Sequence, residues 1–69
     1  MLGEQDALVM EIRPFELHGV TYYDLKVAFR DRSVHEARLG PESVPEGLRP
    51  GEQVVAMMAA NMIVTIRRP

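Results

Sequence analysis

Gly40-Pro-Glu-Ser-Val-Pro-Glu-Gly-Leu-Arg-Pro-Gly-Glu-Gln-Val-Val-Ala-Met-Met-Ala-Ala-Asn-Met-Ile-Val-Thr-Ile66 decides the architecture. Residues 40–52 hold three prolines and three glycines and cannot lie in a regular strand. Pro41 suits the first turn of a short helix, where its missing N–H is no loss, and Glu42-Ser43-Val44 can complete that turn. Pro50-Gly51 suits a type II turn: proline presets φ and glycine accepts a positive φ. Leu48, apolar between Gly47 and that turn, reads as a plug under a core. Residues 53–59 and 62–67 then read as two apolar strands around an Ala60-Asn61 corner, since asparagine tolerates left-handed backbone.

Working back toward the start, period two dominates over period 3.6. Residues 1–6 read as a flexible polar lead-in and residues 7–69 as the single folded domain. Leu8, Met10 and Ile12 alternate with Val9, Glu11 and Arg13, which predicts a strand that Pro14 ends or bulges. His18-Gly19 is a turn signal. Tyr23, Leu25, Val27 and Phe29 then face one way, with Tyr22, Asp24, Lys26 and Arg30 facing the other. Asp31-Arg32-Ser33 reads as a three-residue hairpin loop. Residues 34–39 return with His35, Ala37 and Leu39 inward and Glu36 and Arg38 outward. The pattern predicts an all-β fold: a small five-stranded OB-fold-like barrel with one short helical turn between strands three and four. An SH3-like barrel is the next architecture the pattern fits.

Composition narrows what such a barrel can do. A chain of 69 residues holds one domain, which buries only ~60% of its unfolded surface. There is no cysteine, so neither a disulfide nor a thiolate metal site can staple it. Apolar residues are nonetheless 46% of the chain. Strands four and five are apolar on both faces, Val54, Ala56 and Met58 against Val55, Met57 and Ala59. The second set predicts a subunit interface and hence a homo-oligomer. A net charge of −2 gives no broad positive field for nucleic acid or anionic lipid. No apolar run is long enough for a bilayer span, and no signal peptide opens the chain. The expectation is a soluble, cytoplasmic protein without membrane insertion.

Leu39-Gly-Pro-Glu-Ser-Val44, Gly47-Leu-Arg-Pro-Gly-Glu-Gln-Val-Val-Ala56 and Met57-Met-Ala-Ala-Asn-Met-Ile-Val64 together resemble the MOP/TOBE (molbindin-like) family. That family's run of the type Thr-x-Glu-Ser-Val leads to Leu-x-x-Gly-x-x-Val-x-Ala and then to a Lys-Ala-Ser-x-Val corner. The resemblance spans roughly residues 7–66 and is densest after Leu39. It implies an OB-like barrel that binds molybdate or tungstate at subunit interfaces, through backbone amides and small polar side chains. Ser43, Ala60 and Asn61 are the ligand-binding candidates it implies. The family's lysine corresponds to Met58 and its serine to Ala60, so a charge and a donor are gone. Related domains also form part of ABC-transporter ATPases, which makes an ABC-type ATPase the implied protein partner.

The remaining residue types offer little chemistry. His18 and His35 lack ligand spacing, so no metal site is expected. Met10, Met57, Met58 and Met62 read as adaptable packing rather than thioether ligands. Tyr22 falls on the opposite face from Tyr23 and Phe29, which splits any base-stacking platform. Ser43 sits in no nucleophile elbow, and the glycines follow no phosphate-loop spacing, so no enzyme is expected. The leading reading is a non-enzymatic binding module, holding an oxyanion at subunit interfaces. The alternative is a protein-interaction or assembly domain that has lost the ligand. A single-stranded nucleic-acid binder ranks third.

Overall fold

Period-two alternation becomes five antiparallel strands in the computed structural model, which describes residues 2–69. They are β1 (Leu2–Leu17), β2 (Val20–Phe29), β3 (Val34–Leu39), β4 (Gln53–Ala59) and β5 (Met62–Arg67). One 3₁₀ turn, Pro41–Ser43, lies between β3 and β4, with proline in its first turn as expected. The sheet order is β3-β2-β1-β4-β5. β3 and β5 approach each other, although no ladder joins them among the described residues. This is the order of the partly open OB barrel. An SH3-like order would set the last strand beside the first, and here β4 takes that place.

β1 is the hub. Residues 2–8 pair with β4, from Leu2 opposite Ala59 to Leu8 opposite Gln53. Residues 7–17 pair with β2, from Ala7 opposite Phe29 to Leu17 opposite Val20. Residues 2–6, read as a lead-in, are therefore strand, held by the apolar stretch 55–59; Met1 lies outside the described residues. Pro14 does not end the strand. Past Leu8 β1 has only β2 as ladder partner, and an edge tolerates a missing N–H.

Two bulges set the faces. Register shifts at Met10, so Ala7 and Val9 point inward before it and Ile12 after it. Leu8 and Met10 are left exposed. Val64 is the extra residue on β5, which puts both Ile63 and Ile66 inside. The core joins these to Leu25, Val27, Phe29, Leu39, Val54, Ala56 and Met58, with Val44 and Leu48 closing it from the long loop. Leu48, 7% exposed, is the plug the sequence predicts.

The turns carry the strain. His18 and Gly19 both have positive φ (52° and 79°), as a type I′ hairpin requires. The β2–β3 loop is of the three-residue kind but sits one residue early: the Arg32 N–H bonds the Phe29 carbonyl at 3.0 Å and Phe29 N–H bonds the Ser33 carbonyl at 2.9 Å. Arg32 takes the left-handed position at φ 71°. At the β4–β5 corner that position falls to Ala60 (φ 54°) rather than to Asn61.

Candidate functional site

The residues singled out for a ligand lie on two neighbouring elements. Ser43 ends the 3₁₀ turn and is half-buried, and that turn rests against β5. Ala60 and Asn61 form the exposed corner from which β5 leaves. No cation borders Ser43 in sequence; its neighbour Glu42 is acidic and folds its carboxylate back over Gly40. A Cβ on Gly40 would meet Glu42 Oε1 at 2.6 Å, so glycine leaves the room this carboxylate occupies. An anion at Ser43 would thus have the Glu42 carboxylate as a neighbour and no cation adjacent in sequence.

The outer face of β4 is partly covered by its own chain. Arg67 on β5 sends its guanidinium to Glu4 on β1, with contacts of 3.1 and 3.2 Å. β4 lies between these strands, in register with Arg67 at Val55 and with Glu4 at Met57. The arginine side chain therefore crosses Val55 and Met57, and its aliphatic stem can lie on them while the head stays wet. Val55 is 8% exposed in the single chain. Met57 and Ala59 are half-buried, and Met62, 72% exposed, is the open apolar side chain beside them. The sequence offered no reason to place Arg67 here, because the β5 bulge had first to set its register.

The outer face of β1, β2 and β3 is ordered in rows. Leu8, Ala28 and Val34 align in an apolar row. Next come Glu11, Lys26 and Glu36, then Arg13, Asp24 and Arg38. Phe15 and Tyr22 pair in the last row. The two charged rows line an open concavity of about 650 Å³. Lys26 Nζ is 3.0 Å from Glu11, and Arg13 is 3.2 Å from the same carboxylate. Arg38 grips Asp24 with two bonds of 2.6 and 3.1 Å and lies 4.2 Å from the centre of the Phe15 ring. Phe15 is the residue that sequence reasoning missed. Ending β1 at Pro14 hid it, although counting outward from the His18-Gly19 turn pairs it with Tyr22.

Ion pairing extends beyond this face. Arg30 pairs with Asp6 at 3.0 Å and Arg68 with Glu52 at 3.0 Å. Six of the eight cationic side chains thus have a carboxylate partner among the described residues. Hydrogen bonds from Arg67, Lys26, Arg38, Ser33 and Arg68 hold Glu4, Glu11, Asp24, Asp31 and Glu52 below the usual carboxylate range, respectively. A carboxylate depressed in the folded state contributes stability above its unfolded pKa and loses it as pH falls through the folded value. Urea midpoints are therefore expected to fall between about pH 5 and pH 2. The change should be modest, because solvent screens every one of these exposed pairs. A midpoint that holds or rises on acidification would remove the pairs from the stability of the fold.

The histidines do not converge. His35 packs on Phe29 with ring centres 4.6 Å apart, whereas His18 sits at the hairpin tip, on the order of 20 Å along β2. No group of three or more metal-ligating side chains exists among the described residues, and no helix there is long and apolar enough to cross a membrane. Set beside known proteins, the chain matches no family model, no curated protein and no solved structure.

Proposed function

We propose that this chain is a non-enzymatic binding module of OB topology that works through protein contacts rather than through a bound oxyanion. The observation that carries this is that most of the surface cations are already paired with carboxylates of the same chain. Arg32 and Arg49 are the only cations of the described residues without a carboxylate within 4.0 Å, and they belong to different loops. An oxyanion or a phosphate backbone needs converging donors and uncommitted positive charge. A protein partner can instead use mixed charges and open apolar side chains such as Met62 and Val64.

The competing reading is molybdate or tungstate at Ser43, Ala60 and Asn61. Its support is the packing of the 3₁₀ turn against β5, together with the motif resemblance. Native mass spectrometry with molybdate, tungstate, sulfate and phosphate separates the two, alongside fluorescence anisotropy with single-stranded oligonucleotides. The expected result is no bound oxyanion and no oligonucleotide binding. Molybdate or tungstate taken up at fixed stoichiometry, and lost in Asn61→Leu, would replace the protein-contact reading with the oxyanion one. Binding of oligonucleotides that weakens with salt would replace it with the nucleic-acid reading.

A further inference from the structure

The four rows on the outer face of β1, β2 and β3 serve cross-strand pairing within the chain, and their order along the strands is also self-complementary about a two-fold axis. Across the strands the charges run Glu11, Lys26, Glu36 and then Arg13, Asp24, Arg38: minus, plus, minus beside plus, minus, plus. Above them is the apolar row Leu8, Ala28, Val34, and below them the aromatic pair Phe15 and Tyr22. Consider a two-fold axis lying in this face, perpendicular to the strands and between the two charged rows. It lays Glu11 on the second copy's Arg13, Lys26 on its Asp24 and Glu36 on its Arg38. It also lays Leu8 and Ala28 on Phe15 and Tyr22. Both charged rows meet their complement and the apolar row meets the aromatic pair, with Val34 alone left without an opposite residue; a two-fold interface requires such self-complementarity. Turning the axis parallel to the strands instead sets Glu11 on Glu36, a like-charge contact.

We infer that this face pairs two copies of the chain about that axis, as a weak and salt-sensitive dimer. The inference rests on the protein-contact reading above and names the partner. Glu36 and Arg13 have the most to gain. Glu36 takes part in no ion pair within 4.0 Å among the described residues, and the Arg13 side chain is 78% exposed. The area argues for weakness. Three strands about 4.8 Å apart, carrying four rows about 6.7 Å apart, span roughly 400 Å² per copy. A standard stable interface takes about 800 Å² from each partner. Most of the charged contacts are exposed as well, so salt screens them.

Charge reversal tests the axis directly. Arg13→Glu sets a new carboxylate against the second copy's Glu11, and Glu11→Arg sets a new guanidinium against its Arg13. Each variant should weaken self-association by at least about tenfold, measured by sedimentation equilibrium. In an equimolar mixture both contacts pair a carboxylate with a guanidinium again, so association should return. Raising NaCl from about 0.05 M to about 0.5 M should weaken the wild-type dimer. Circular dichroism of each variant establishes that the exposed substitutions leave the fold intact. Self-association unchanged in both variants, or no recovery on mixing folded variants, would overturn the pairing. So would a wild-type chain that stays monomeric at about 1 mM in low salt. That last outcome leaves the protein-contact reading standing, because that reading falls to a bound oxyanion or oligonucleotide instead.

Discussion

Leu25→Ala is expected to cost toward the upper end of about 2–5 kcal/mol, more than the truncation of Leu48. Leu25 is 3% exposed on β2, with Ile12 on one side and Ala37 on the other. Both flanking strands are tied into ladders, so the backbone cannot settle into the cavity. Leu48 supplies the comparison. It is also buried, but it hangs from the long loop after Gly47, where the chain can sink inward, so Leu48→Ala should fall near the lower end of the same range. A domain this small sits low in the usual range of about 5–15 kcal/mol, and Leu25→Ala should leave much of it unfolded at room temperature. Urea titrations followed by circular dichroism give both numbers. A cost for Leu25→Ala below about 1 kcal/mol, or below that of Leu48→Ala, would mean that β2 does not run through the centre of the core.

The second half of the chain was legible because its signals are local. Pro41 and Pro50 each fix φ through their ring and Gly51 admits the positive φ that the turn needs, and the 3₁₀ turn, the tight turn and the bounds of β4 and β5 follow. β3 was legible because alternation alone sets its faces. The first half depends on pairing, which sequence order does not display. Residues 2–6 are polar enough to read as a tail, yet they become strand because β4 offers them a ladder. Bulges were the harder loss. Strict period two places Val9 and Ile12 on opposite faces, and likewise Ile63 and Ile66, whereas both pairs point inward. An apolar spacing of three within a strand is the trace a bulge leaves, and it stands in the sequence at both places. The candidate site suffered from the same cause. The charge rows need two registers at once, β1 with β2 and β2 with β3, and the first of these passes straight through Pro14.

Gly51 is where local and long-range structure meet, and substitutions there should rank by backbone preference alone. Its φ is +91°, in the region that L-residues rarely adopt. A Cβ built on it meets nothing within 4 Å, so no steric contact competes with the conformational cost. The turn it makes is closed by the Glu52 N–H to the Arg49 carbonyl at 3.3 Å, and by the Arg49 N–H to the Glu52 carboxylate at 2.7 Å. The same turn is bonded to β1: Gly51 N–H reaches the Val9 carbonyl at 2.8 Å, and Val9 N–H reaches the Glu52 carbonyl at 3.0 Å. Val9 is the last residue before the Met10 bulge, so the turn docks where β1 changes partner from β4 to β2. Gly51→Ala should cost about 1–2 kcal/mol, the ordinary penalty for a Cβ in left-handed backbone. Gly51→Asn should cost less, since its side chain tolerates that region, and Gly51→Val more, since β-branching makes a positive φ an outlier. Unfolding midpoints of the three variants give the order. Equal costs, or valine milder than asparagine, would mean that the turn gives up its positive φ and that the bonds to Val9 do not hold it in place.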